Sequence, residues 1–314
     1  MKKILFIMTF LVSTIFADQT ALNSILKNIS IPNVDKTIEN ANVLKENLNE
    51  QNFKNFLSSW KKVEALYFAG EIDNDYIDTP RYIDVFHNLK EDLKEQMQRV
   101  ITSKDEPNIA LFKNSFKTIN ALEYVLFNDD KITQREKLLS MEILNSIVSH
   151  LNDIKGVYTQ YLSSEPKSET WENAMIINSL IASTYRLKEW RIGDPSGNSS
   201  KYKNDLDNKR AEYFLSKSSL LAIKSILDAH EEIMGNGKFF NFGKMAAQSG
   251  AKVEVAEVEN AIHNSLNELK KLKNDDFSNA KNLYVDVKSL HNAYYLSLIE
   301  QLAITAKILD ADGD

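Results

Sequence analysis

The 314-residue chain has 38 lysines and arginines against 44 aspartates and glutamates, a net charge of −6, with 43% hydrophobic and 26% charged residues. This is the composition of a soluble globular protein and not of a disordered or polytopic membrane chain. It has five prolines, nine glycines and no cysteine, where average usage gives about 15 prolines and 22 glycines; these counts exclude turn-rich sandwiches and barrels, disulfide frameworks, thiolate metal sites and cysteine nucleophiles.

Residues 1–17 read as a secretory signal: Lys2 and Lys3 are followed by the apolar run Ile4 to Phe16, too short to favour a membrane span, with cleavage expected after Ala17. Removing it takes two lysines and moves the net charge from −6 to −8. Such an acidic exported chain is expected to bind no nucleic acid, which requires a basic stripe. After the signal, helix is expected almost everywhere. Ala21 to Ile31 is followed by a helix from about Asp35 to Leu48. Asn52 to Ala69 carries Phe53, Phe56, Leu57, Trp60, Val63, Leu66 and Tyr67 at three- and four-residue steps, with Gly70 as its stop. Tyr82 to Ile101 and Pro107 to Phe127 read as single helices. Thr133 to Tyr161 is a long one, with Thr133 and Glu136 in capping-box spacing.

The polar stretch Ser163 to Ser168 is the expected domain boundary. Glu169 to Trp190 reads as helix and Gly193 to Asp205 as a loop. Arg210 to Met234, Val253 to Leu272 and Phe277 to Leu309 are the last expected helices, with Lys238 to Gly250 irregular. The predicted architecture is all-α: a helical bundle over 18–163 and a second over 164–314, packed together.

Standard catalytic signatures are missing. There is no Gly-x-Ser-x-Gly, no phosphate loop and no His-Glu-x-x-His. Helical pairs such as His87 with Glu91, His150 with Asp153, and Glu259 with His263 have the spacing to share a cation, and equally the spacing of ordinary solvated pairs. Asn120 and Glu123 share one face of an otherwise apolar helix, so Glu123 must be near solvent, paired or liganding. Glu64, four residues after Trp60, could meet it across a bundle core. Arg191 and Asp194 end a helix, where they could pair or bracket a site. Asp310, Asp312 and Asp314 form an acidic end too short for a calcium loop.

Four stretches together resemble the imelysin-like family, named after an insulin-cleaving metalloproteinase: Trp60 to Gly70, Thr118 to Phe127, Trp190 to Gly197, and Ala311-Asp312-Gly313-Asp314. The resemblance covers nearly all the mature chain. It implies two helical halves with a site near their junction, residence in the bacterial periplasm or envelope, a link to iron uptake, and a nominal metallopeptidase activity. The family pattern Gly-x-His-x-x-Glu is only partly kept, since Thr118 and Asn120 stand where it has Gly and His, and Glu123 alone matches. An amide oxygen is a weak ligand that suits hard cations, so the depleted motif argues against an activated-water peptidase.

The expected function is therefore binding of a metal ion (iron, zinc or calcium) or a small metal-bearing ligand, with Glu64, Asn120 and Glu123 as ligands and Arg191 and Asp194 shaping the pocket. An envelope protein partner is a further expectation. The alternatives are a metallopeptidase with Glu123 as base, and a metal-free interaction scaffold.

Overall fold

The computed structural model describes residues 20–87 and 91–306. The signal and the acidic end at 310–314 lie outside the described residues. Among the described residues, sixteen α-helical segments follow one another: α1 Ala21–Ile25, α2 Ile31–Glu46, α3 Glu50–Ala65, α4 Ala69–Ile72, α5 Thr79–Ile83, α6 Leu93–Thr102, α7 Pro107–Ala110, α8 Ile119–Phe127, α9 Gln134–Ser163, α10 Glu169–Arg186, α11 Asp194–Ser196, α12 Ser219–Met234, α13 Phe242–Gln248, α14 Lys252–Leu269, α15 Lys281–Asn292 and α16 Ile299–Gln301. π-helical turns at Leu26–Ser30, Leu187–Gly193 and Ala293–Leu298 continue α1, α10 and α15 without a break. The described residues contain no strand, so the fold is all-α. No helix among them is long and apolar enough to cross a membrane.

Local chemistry sets several of these ends. Asn49 caps α3 by accepting from the Asn52 N–H at 2.8 Å. Thr133 and Glu136 form the expected capping box at the start of α9. α2 packs on α3 and α9, while α3 also packs on α12, and α12 on α14. The link between α9 and α10 falls at the expected boundary, yet one apolar core runs across it, from Leu22 through Trp60 and Leu151 to Leu227 and Leu290.

Three expected helices are shorter than their periodicity suggests. Of the segment read as Tyr82 to Ile101, residues 84–87 and 91–92 are not helical, and α6 begins at Leu93, capped by Asp92. The segment from Pro107 to Phe127 is interrupted between Ala110 and Ile119, and Thr118 caps α8. Residues 211–218, read as the start of a helix, are turns, and α12 begins only at Ser219. In the opposite direction, α13 lies in a stretch expected to be irregular; Asn241 caps it by accepting from Lys244 N–H at 3.0 Å. Gly70 is not the stop of α3 but lies inside α4, where a Cβ would sit 2.7 Å from the Ile77 Cα, so only glycine allows that backbone approach.

Candidate functional site

The breaks in the expected helices deliver the charged residues. The apolar stripe of α3 buries Trp60, which is 0% exposed, and this carries the adjacent Lys61, also 0% exposed, inward. Glu64, one turn on, points the same way. After α5 the backbone turns extended at Asp84. Its Oδ1 accepts from the Phe86 N–H at 3.0 Å, leaving Oδ2 to face α3. Arg191 comes from the π turn that continues α10. Glu212 and Tyr213 come from the turns before α12, where Tyr213 and Lys217 hold φ of 57° and 51°, a strained backbone for residues with side chains.

These residues meet in one buried ionic cluster. The Lys61 ammonium donates to Glu64 Oε2 at 2.8 Å, Asp84 Oδ2 at 2.7 Å and Glu212 Oε1 at 2.6 Å. The Arg191 guanidinium forks between Glu64, at 2.8 and 3.0 Å, and Glu212 Oε2, at 2.7 Å. Asp84 Oδ2 also accepts from the Tyr213 hydroxyl at 2.5 Å and the Trp60 indole N–H at 3.2 Å. Among the described residues, Glu64, Asp84 and Glu212 are the His, Asp or Glu side chains whose potential ligand atoms converge, all within 4.8 Å of one another.

Burial would push the Asp84 carboxyl up, but the Lys61 charge and the hydrogen bonds from Lys61, Tyr213 and the Phe86 N–H outweigh it and hold it well below the usual range. Glu64 is likewise held low, the charges of Arg191 and Lys61 overcoming its desolvation. Burial by itself would strip the proton from Lys61, but the carboxylates of Asp84, Glu212 and Glu64 hold it on.

Of the residues expected at the site, Glu64 and Arg191 are brought into direct contact. Glu123 lies outside the converging set and is buried at 7% exposure. Its Oε1 accepts from both the N–H and the hydroxyl of Ser216, each at 2.8 Å. The Asn120 amide oxygen is taken by the Val85 N–H at 2.7 Å. Asn120 and Glu123 thus brace the two irregular segments that carry Asp84 and Glu212. Asp194, 3% exposed, faces His87, whose Nε2 is 2.9 Å away and whose ring stacks on Trp190 at 4.7 Å. His87 is thereby in α11's company and not on a helix with Glu91. His150 does lie near Asp153, at 3.6 Å.

Nothing in the sequence singles out Lys61, Asp84, Glu212 or Tyr213. Lys61 reads as one of two adjacent surface lysines, and the other three fall in segments whose composition suits helix. The one available signal is the apolar stripe around Trp60, which places Lys61 next to a buried position.

Burial pushes Glu123 up to about 7, against the pull of the two Ser216 donors. The sign of its pH effect follows. The folded chain holds this proton more tightly than the unfolded chain between about pH 4.5 and 7, so its contribution to stability is complete below that window and is lost as pH rises through it. Glu123→Gln keeps the neutral form. We expect the melting temperature of the variant, relative to wild type, to rise from pH 5 to pH 8, by the equivalent of about 1.4 kcal/mol per pH unit inside the window. A difference that stays flat across pH would show that Glu123 is ionised in both states.

A resident metal fits this cluster poorly. Three carboxylates are a suitable donor set for a hard cation, but each already binds the Lys61 ammonium, and two of them also bind Arg191. A second feature has the opposite character. An open cleft of about 680 Å³ lies between the first helices, the end of α12 and α14, and its lining includes Glu231, Glu232, Glu259, His263, Asn33 and Phe239. Lys62 pairs with Glu232 there, leaving Glu231 and Glu259 without an ion pair among the described residues.

The chain matches the family model described as imelysin (Peptidase M75) over residues 32–304. No curated protein matches it. A solved imelysin-like protein from Psychrobacter arcticum 273-4 is 16% identical, with a TM-score of 0.74, covering 91% of this chain and 96% of that one. A putative iron-regulated protein A precursor from Parabacteroides distasonis ATCC 8503 is 10% identical, with a TM-score of 0.68, covering 90% of this chain and 94% of that one. The family match spans most of the sequence and the fold agrees with both structures along nearly their whole length: the chain belongs to the imelysin family.

Proposed function

We propose that this protein is exported to the bacterial envelope and there takes part in iron uptake by binding a cationic or metal-bearing ligand, not by cleaving peptides. The amino-terminal basic and apolar run supports export, and the iron-regulated precursor of the same fold supports the link to iron. One observation carries the choice between binding and hydrolysis: the converging carboxylates are already bound from within by Lys61 and Arg191. A zinc-type peptidase needs three ligands free to hold the metal and an open position for water. Here the carboxylates are committed, and the side chains of Asp84 and Glu212 are 3% and 2% exposed. Carboxylates without an ion pair among the described residues line the cleft instead, Glu231 and Glu259, with His263 in the same lining, and the cleft is the place we assign to the ligand.

Calorimetric titration of the mature chain with ferric citrate, zinc and calcium tests this. We expect one site, weakened at least tenfold in the double variant Glu259→Gln/His263→Ala and unaffected by Glu123→Gln. No binding of any of the three, or binding indifferent to the cleft variants, overturns the assignment. Chelator-sensitive cleavage of peptides that disappears in Glu123→Gln would establish the peptidase instead.

A further inference from the structure

We propose that Lys61 is the built-in cation of a latent metal cage: its ammonium supplies the positive charge that Glu64, Asp84 and Glu212 would otherwise take from a metal ion. The inference deepens the reading above, in which the cluster holds no resident metal. An ammonium has three N–H donors and no acceptor, and Lys61 meets three separate carboxylates at 2.6 to 2.8 Å. Those separations are close to the 2.3–2.6 Å at which calcium binds carboxylate oxygens, so the cage has the size for a hard cation as well as the charge. Lys61 is held in it from every side. Its side chain is wholly buried, the Tyr213 ring lies 5.0 Å away, and Trp60 and Tyr213 fix Asp84 from the far side. A metal ion entering the wild-type cage must expel a buried charge that has no second converging carboxylate cluster to move to among the described residues, and Arg191 adds its own repulsion. The cage is therefore closed to metal while Lys61 is present.

Removing the ammonium while keeping the stem volume opens it. The full mature chain, stripped with chelator, is to be compared as wild type, Glu212→Gln, Lys61→Met and Lys61→Met/Glu212→Gln by thermal melting and calorimetry with calcium, manganese and zinc. Wild type is expected to take up no ion in the cage and so to lose no binding on Glu212→Gln. Lys61→Met is expected to melt lower without metal, to bind one ion per chain more than wild type does, and to regain several degrees on binding it. The double variant should bind that additional ion at least tenfold more weakly. If Lys61→Met does not fold alone, it must fold when refolded with one of these ions; failure with all three overturns the proposal. A folded Lys61→Met that binds no more ions than wild type also overturns it, while leaving ligand binding in the cleft untouched. Wild-type uptake of an ion that is lost in Glu212→Gln overturns both the closed cage and the metal-free reading of the cluster.

Discussion

Arg191→Met should be among the most damaging single substitutions in this protein, costing about 3–5 kcal/mol of stability. The guanidinium binds Glu64 and Glu212 at 2.7 to 3.0 Å and is 4% exposed. Removing it leaves Lys61 as the one cation among the described residues bonded to the three carboxylates, with Arg186 acting on Glu64 only through its charge, and Glu212, 3% exposed, loses a partner it cannot replace with water. The melting temperature is expected to fall by roughly 5–10 °C for a chain of this size. Because the pair is buried, the loss should hardly change between low and physiological salt, unlike that of a surface pair. Arg191→Met combined with Glu212→Gln should recover part of the loss, since the neutral amide no longer needs a cation. A cost under about 1 kcal/mol, or one that salt abolishes, would mean the cluster is solvated and weak. Lysine is not an adequate replacement, because the fork that reaches two carboxylates at once belongs to the planar guanidinium.

Trp60→Ala is the second large effect, with an expected cost of about 3–5 kcal/mol from the lost burial and the cavity left behind. The indole is wholly buried in the middle of the core and also donates to Asp84 at 3.2 Å. The two contributions can be separated. Trp60→Phe keeps most of the ring volume but leaves Asp84 one donor short, at a cost of about 1.5–3 kcal/mol for a hydrogen bond to a charged group. Denaturant unfolding of both variants checks the ordering. If Trp60→Phe is as damaging as Trp60→Ala, packing is not what this residue contributes. If it is neutral, the bond to Asp84 contributes nothing.

The helices are legible in the sequence wherever one face is plainly apolar. The stripe from Phe53 to Val63, the capping box at Thr133 and Glu136, and the helix at α10 all follow from spacing and local hydrogen bonding, which act within a few residues. Gly70 shows the limit of that reading. It sits where a stop is expected, yet its role is a close approach to Ile77 that no local rule contains. The cluster shows the same limit on a larger scale. Glu64 and Arg191 are visible as candidates, but their meeting is not, since they lie 127 positions apart.

What the sequence determined by itself is the all-helical class, through scarce glycine and proline and a 3.6-residue apolar period, together with the family resemblance and the depleted motif around Asn120 and Glu123. What only the tertiary structure decided is where helix stops and which charges meet. Asp84 and Glu212 occupy segments whose composition permits helix, but each carboxylate is bound to partners more than 20 residues away. Leaving helix costs a few local hydrogen bonds of about 1 kcal/mol each, while leaving a buried charge unpaired costs several kcal/mol. The unpaired charge is the heavier penalty, and only contacts made in the folded chain avoid it. Those contacts decided both the breaks in the helices and the cation that fills the cage.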